Sequence, residues 1–450
     1  MNKSQYAIIG AGLAGTELAL ILDRYGIRAT VFEQKPGSRS AAHSIDSYAE
    51  LVCSNSFRSD SPESGPGLLK REMRLLGSPL MDAAVKNRVP AGKALATDRR
   101  AFAEDLTRRL SRAENIAIIN RKIESLDDEE LKAAGEKGII VACGPMGDES
   151  LINSLAEATG RQNCYFYDAI APIVWSQSLD SGKIFRASRY EEGEGDYLNA
   201  PMNKEEYERF VTELRDGKTF APREFETEKH FEGCMPIEAL AKRGMETLAH
   251  GPLKPVGLTD PATGRKPWAV LQLRPETNNF SACNLVGCQT KLLQPEQERI
   301  FKLIPGMENA EFVRFGSMHR NAYVNAPEAL DGNLGLRGRP GVYLIGQITG
   351  VEGYIESAAT GLWLGHRLAA LETGNDLPPL PETSALGALL GHLKRPAKKF
   401  QPSNITFGLM PDVEKGIRKR DRKKACSERA VAAFDEWLAE TARSGVRIRT

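Results

Sequence analysis

No stretch of this chain approaches the roughly 20 consecutive apolar residues that a bilayer-spanning helix requires, which argues against a helical membrane protein. Net charge is almost absent as well: 60 Lys and Arg against 59 Asp and Glu leave +1. A nucleic-acid partner must therefore be sought where charges cluster, not in the total. Histidine is scarce, at 6, and the seven cysteines (Cys53, Cys143, Cys164, Cys234, Cys283, Cys288 and Cys426) form no CxxC pair and no ligand spacing with histidine. An odd, scattered set of this kind points to neither a zinc site nor a disulfide framework, and no metal is expected. The first residues lead into a strand without the charged, apolar and small-residue regions of an export signal, so the expectation is a cytoplasmic protein. What is present is ordinary globular material, 41% hydrophobic and 26% charged over 450 residues, more than one core usually organises.

The first thirty residues carry the sharpest signal. Tyr6-Ala7-Ile8-Ile9 reads as a short buried strand that ends in Gly10-Ala11-Gly12-Leu13-Ala14-Gly15, a GxGxxG turn. Leu18, Ile21, Leu22 and Tyr25 then recur at helical spacing, with Gly26 as a stop. A second strand, Arg28 to Phe32, closes on Glu33, eighteen positions beyond Gly15, where a carboxylate can accept the ribose hydroxyls of an adenosine. In this arrangement Gly10 permits the tight turn, Gly12 lets backbone amides approach a pyrophosphate, and Gly15 lets helix and strand pack closely. The helix N-terminus adds about half a positive charge.

Two later segments favour FAD over NAD. Gly138 to Pro145 is an apolar strand running into a Gly-Pro turn at Gly144, and Gly341 to Gly346 is another. The second is followed by the small-residue stretch Gly350 to Gly361, suited to start a helix against a flavin, with Gly353 and Tyr354 at its head. Tyr354 reads equally as a flavin neighbour or a core aromatic. An early phosphate site and a late return to the same domain imply an α/β, Rossmann-like FAD-binding domain that is discontinuous. Its parts are expected at 1–164 and 326–376, with an inserted α+β domain at 165–325 and a helical, basic C-terminal extension at 377–450 beyond the hinge Leu377-Pro378-Pro379-Leu380-Pro381. Within the insert, Asn203 and Glu206 form a capping-box pair ahead of Tyr207, Phe210, Val211 and Leu214.

Six stretches together resemble the folate- and FAD-dependent tRNA (uracil-5-)-methyltransferases of bacteria: Gly10 to Gly15, Ala49 to Ser56, Arg88 to Gly92, Pro252 to Leu258, Met318 to Asn321 and Val351 to Ser357. The resemblance runs along nearly the whole chain. It implies FAD, methylenetetrahydrofolate as carbon donor, NAD(P)H as electron source and a T-loop uridine of tRNA as acceptor. Ribosomal RNA is an alternative acceptor, and a different tRNA-modifying flavoenzyme or a non-catalytic flavin-binding RNA chaperone are alternative functions. It also implies that His319 stacks on the folate ring, with Arg320 and Asn321 beside it. Lys93, Ala200, Cys288 and Gln294 depart from the family pattern and put nearby folate or RNA contacts in question.

Such a reaction has recognisable needs. C5 of uracil is a poor nucleophile while C6 is electrophilic, so a thiolate adding at C6 activates C5, and a base must later remove the C5 proton. Cysteine suits the first task because a free thiol of pKa about 8.5 is partly ionised at neutral pH, and nearby positive charge raises that fraction. Cys53 lies in a polar Cys-Ser-Asn-Ser loop with Arg58 close by and is the expected nucleophile. Cys234 is the expected acid or base, matching the family's second reactive cysteine, with the two roles exchangeable. Cys143, inside an apolar strand, reads as packing, as do Cys164, Cys283 and Cys288. Near the C-terminus Lys415, Arg418, Lys419, Arg420, Arg422, Lys423 and Lys424 crowd a short span. Of these Lys415, Arg418, Arg420, Arg422 and Lys424 are expected to face RNA, docked by a helix that buries Ala430, Phe434, Trp437 and Leu438.

Overall fold

The computed structural model describes residues 5–40, 42–160, 164–189, 193, 195–220, 235–397, 400–414 and 416–450, with the backbone alone at 164, 166, 167 and 320. Cys234 and Lys415 lie outside the described residues.

A parallel sheet forms the first layer. Its central strand β1 (Tyr6–Ile9) is buried along its whole length, as expected of an apolar run covered on both faces. Helix α1 (Leu13–Arg24) carries the chain to β2 (Ala29–Glu33), which pairs in register with β1 from Tyr6 against Ala29 to Ile9 against Phe32. Across the sheet the order is Val342–Leu344, Gly138–Val141, β1, β2, Ile116–Asn120, with every pairing parallel. The chain steps to one side of β1 first and to the other side later. The crevice at the carboxyl ends of β1 and Gly138–Val141 is therefore the switch point at which α/β sheets hold ligands. The long helix Tyr354–Glu372 packs against α1, and Gly361 permits the approach: a Cβ there would collide with the Ala14 carbonyl.

Residues between these parts build a second core on a six-stranded sheet in the order Phe185–Ala187, Tyr197–Met202, Ala269–Pro275, Ala282–Leu285, Ile173–Trp175, Phe312–Arg314. The helix Lys204–Asp216 lies on it, started by the full capping box of Asn203 and Glu206, and buries Tyr207, Phe210, Val211 and Leu214. The two cores are joined by an antiparallel ribbon, Cys164–Ile170 with Ser317–Tyr323, so the chain leaves and re-enters the first domain on paired strands. The ribbon ends at Ile170 and a separate strand begins at Ile173.

The C-terminal segment shares the first core. In the helix Arg422–Arg443, Ala430, Phe434 and Trp437 are buried against Gly65–Leu75, and the Trp437 indole donates to the Pro378 carbonyl at 3.0 Å. Burying an aromatic side chain of this size contributes about 1.5–3 kcal/mol, which holds the helix down without a domain of its own. The chain end returns to α1, where the Arg449 amide donates to the Tyr25 hydroxyl at 2.9 Å. Among the described residues no helix is long and apolar enough to cross a membrane.

Candidate active site

The GxGxxG turn opens a cleft with about 1090 Å³ of empty space, lined by Gly10, Ala11, Gly12, Leu13, Ala14, Glu33, Gly144, Gly346 and Tyr354 among others. Gly10 has φ +101°, and a Cβ there would stand 2.7 Å from the Ala142 carbonyl oxygen, so only glycine serves. Gly12 is the opposite case. Its φ is −73° and an added Cβ would meet no protein atom within 4 Å, because the space beside it is the cleft itself. Gly15 faces away and serves the packing of α1 on the turn, where its Cβ would strike the Gly10 carbonyl. Gly353 does not line the cleft either; with φ +111° it caps the helix that begins at Tyr354. Glu33 is buried, and its two oxygens accept the Ala11 amide at 2.7 Å and the Lys35 amide at 2.9 Å. The carboxylate thus braces the turn while it lines the cleft.

Cys53 is tied to this cleft through its neighbour Val52 and its hydrogen-bond partner Tyr354, both of which line it. The Tyr354 oxygen accepts the amides of Cys53 at 2.8 Å and Ser54 at 3.0 Å, and lies 2.9 Å from the Cys53 sulfur. A phenol oxygen has two lone pairs and one proton. With both lone pairs taken by amides, the hydroxyl proton points at Sγ, so Tyr354 donates to the sulfur. Tyr354 is a cleft residue and the partner of the Cys53 sulfur at once.

The loop is held from both domains. Asn55 is fully buried and donates to the carbonyls of Thr97 and Pro275 at 3.1 and 3.0 Å. Arg274, from the insert, donates to Asn55 Oδ1 and Ser54 Oγ, each at 2.8 Å. Arg99 reaches the Leu51 and Val52 carbonyls at 2.6 and 3.3 Å and pairs with Glu276 of the insert at 3.1 Å. Arg314 donates Nη1 to the same Val52 carbonyl at 2.9 Å.

The electrostatics differ from the expectation of a partly ionised thiol. Burial first, then the Asp168 and Glu352 carboxyls, push the Cys53 thiol up to about 12, against the opposing help of Tyr354 and Arg99. Arg58 does not activate the sulfur: it is ion-paired with the buried Glu356. Burial and the Asp168 charge likewise raise Glu352 well above the carboxylate range. Cys143 also departs from its expected place. The strand ends at Val141, and Cys143 is half-buried in the turn beyond it, lining the cleft.

His319, Arg320 and Asn321 lie on the ribbon strand Ser317–Tyr323. Burial, then the charges of Arg314 and His43, hold the His319 imidazole below its usual range. His43 is itself a cleft residue, so this neutral ring belongs to the same neighbourhood. Its Nε2 is 2.9 Å from the Ser317 hydroxyl. Asn321 is buried at 2% exposure. Of the departures, Ala200 and Cys288 are buried in the core of the insert, and Lys93 and Gln294 are exposed; none lines the cleft. Arg418, Arg420, Arg422 and Lys424 are all exposed. Sequence reasoning passed over Arg99, Arg274 and Arg314, and His43 and Lys35 in the cleft. Only the polarity of the Cys-Ser-Asn-Ser loop hinted that it needs partners.

A parallel sheet with a glycine turn at its switch point, an acid closing the second strand and an inserted antiparallel domain define a dinucleotide-binding α/β protein. A family model described as glucose inhibited division protein A matches residues 5–376. The chain belongs to this family, within its branch of methylenetetrahydrofolate--tRNA-(uracil-5-)-methyltransferases. A relative of that name from Oleidesulfovibrio alaskensis is 57% identical over 433 residues, covering 96% of this chain and 97% of its own. One from Lawsonia intracellularis is 52% identical, covering 97% and 98%. Among solved structures, GidA of Aquifex aeolicus superposes with a TM-score of 0.67 at 15% identity over 97% of this chain and 74% of that one, a likeness of fold.

Proposed function

We propose that this protein is an FAD-dependent enzyme that methylates C5 of a uridine in tRNA, at the T-loop, with methylenetetrahydrofolate as carbon donor and NAD(P)H as electron source. Its place of work is the cytoplasm. The observation that carries the reading is Tyr354, one side chain that lines the dinucleotide cleft and hydrogen-bonds the Cys53 sulfur. A thiol placed there acts on a substrate lying against the cofactor.

The cleft fits FAD. The amides at the start of α1 face open space beside Gly12, as a pyrophosphate requires, and Glu33 closes the second strand where an adenosine ribose would lie. When bound, the flavin supplies the hydride that completes the methyl group. The chain's own residues do the rest. Cys53 rests as a thiol and must lose its proton before it adds to C6. Tyr354 then donates to the thiolate, a charge-assisted bond of about 1.5–3 kcal/mol. Cys234 is proposed to remove the C5 proton. The neutral, half-buried ring of His319 can stack on a pterin without setting a charge against it, with Arg320 and Asn321 beside it. Arg418, Arg420, Arg422 and Lys424, together with Lys415, are proposed to hold RNA phosphates.

The test is nucleoside mass spectrometry of tRNA incubated with the enzyme, methylenetetrahydrofolate and NAD(P)H. Formation of 5-methyluridine is expected in the wild type and its loss in Cys53→Ala and Cys234→Ala, with flavin content unchanged. A tRNA carrying 5-fluorouridine at the target should remain covalently attached after denaturation, because fluorine cannot leave as a proton. Full activity in either alanine variant would remove that cysteine from the mechanism.

A further inference from the structure

The turn that joins Ala269–Pro275 to Ala282–Leu285 carries a side chain that its backbone does not suit. The Glu276 amide donates to the Ala282 carbonyl at 2.9 Å and closes the loop, and the Phe280 amide donates to the Thr277 carbonyl at 3.1 Å, making a tight turn of Thr277-Asn278-Asn279-Phe280. Phe280 ends that turn with φ +55°. Hairpin loops give this left-handed place to glycine, asparagine also tolerates it, and a bulky residue there is an outlier. Its neighbour fixes the backbone on the far side: the Ser281 amide donates to Thr277 Oγ1 at 3.2 Å and to Asn279 Oδ1 at 3.1 Å.

Packing does not explain the phenylalanine. Phe280 is half-buried and joins neither the first core nor that of the insert. The Arg186 guanidinium carbon stands 4.4 Å from its ring centroid, with Arg186 Nε held by the Gly195 carbonyl at 2.8 Å, and among the described residues no second ring lies against it. One strand away is Trp175, 39% exposed and likewise outside both cores, paired in register with Ala282. A strained side chain kept where it adds nothing to a core points to function.

The place narrows that function. Glu276, at the foot of the turn, pairs with Arg99 at 3.1 Å, and Arg99 holds the carbonyl of Val52, a cleft residue. The turn therefore stands beside the cleft wall, with Asn278 and Asn279 exposed next to the ring. A flat ring pinned by a guanidinium, flanked by exposed amides, is a surface on which an unpaired RNA base stacks. A uridine that enters a cleft must leave its own stack, and the base beside it then lacks a partner.

We infer that Phe280, steadied by Arg186, is the stacking platform for an unpaired base of the substrate RNA that flanks the target uridine. The inference rests on the proposed RNA substrate. Phe280 takes no part in the chemistry; it holds the RNA loop open while the uridine is in the cleft, so it acts on RNA affinity.

The experiment compares Phe280→Asn and Phe280→Tyr in the full-length, flavin-loaded enzyme. Asparagine accepts the left-handed backbone and removes the ring, whereas tyrosine keeps both ring and strain. Stacking of a base on an aromatic side chain is worth about 5–150-fold in affinity. Phe280→Asn should raise the Kd for tRNA by that order, and Phe280→Tyr should stay within about threefold of wild type. The log–log slope of affinity against salt should not change, because no phosphate contact is lost. The melting temperature of Phe280→Asn should not fall, and flavin reduction by NAD(P)H should keep its rate. With an abasic site placed in turn on each side of the target uridine, one position should weaken tRNA binding to wild type and not weaken it further in Phe280→Asn. Unchanged tRNA affinity in Phe280→Asn overturns the inference. A lower melting temperature overturns it too, since the ring would then be a structural support, as does a loss that is additive at both abasic positions. A wild type that binds no tRNA removes the inference and the proposed function together; one that binds tRNA but forms no 5-methyluridine removes the proposed reaction alone.

Discussion

Two glycines two residues apart should respond in opposite ways to a side chain. At Gly10 an alanine would have to adopt φ +101° and press its Cβ to 2.7 Å from the Ala142 carbonyl oxygen. The left-handed backbone costs about 1–2 kcal/mol, and relieving the contact in a packed region about 1–3 more. Gly10→Ala should therefore lose about 2–5 kcal/mol of stability, measured by urea denaturation of flavin-free protein so that ligand binding does not enter. At Gly12 the backbone is already in a range open to any residue and nothing stands within 4 Å of the new Cβ. Gly12→Val should change flavin-free stability by less than about 1 kcal/mol. Its side chain, however, would fill the approach of the pyrophosphate to the amides of α1. Losing even two charge-assisted hydrogen bonds of about 1.5 kcal/mol each lowers affinity about 100-fold, and the protein should purify without yellow colour. A Gly12→Val protein that keeps full flavin absorbance, or that unfolds as readily as Gly10→Ala when flavin-free, would refute the assignment of the cleft.

With its thiol pushed up to about 12, Cys53 is expected to be only about 3 × 10⁻⁵ thiolate at pH 7.5. Because the pKa is raised, the protonated form dominates below it. Site-resolved alkylation of the RNA-free protein should then rise about tenfold per pH unit through pH 10, and a plateau at or below pH 9 would show that the burial argument fails. In the exposed basic segment, Arg422 and Lys424 stand in the first turn of the helix Arg422–Arg443, where the helix dipole disfavours cations and favours phosphate. Replacing Arg418, Arg420, Arg422 and Lys424 with alanine should weaken tRNA binding and flatten its salt dependence by about 2–4 in log–log slope. Thermal stability should not fall; tRNA affinity unchanged at near-physiological salt would place the RNA surface elsewhere.

What could be read from the chain alone is what short-range periodicity encodes. The strand, glycine turn, helix and acid from Tyr6 to Glu33 all lie within one βαβ half, and the Asn203 capping box spans four residues. Contacts made across hundreds of residues leave no such trace. Tyr354 reaches Cys53 over 301 positions, and Arg314 reaches Val52 over 262. Cys143 packs against the first core as expected but stands past the strand, because an apolar run does not mark where a strand ends and its turn begins. The ionisation of Cys53 was misjudged because a nearby arginine in sequence, Arg58, spends its charge on Glu356.

The loop that carries Cys53 is fastened to the insert as well as to the domain it belongs to. Arg274 holds Ser54 and Asn55, Asn55 holds the Pro275 carbonyl, and Glu276 holds Arg99. Three consecutive residues of one insert strand region thus act as a latch on the loop that carries Cys53. A swing of the insert that widened the mouth would pull on Ser54, Asn55 and Arg99, and through them on the loop that carries Cys53. The Cys53 loop keeps all of these bonds only while the two bodies stay seated, so its shape reports on their closure.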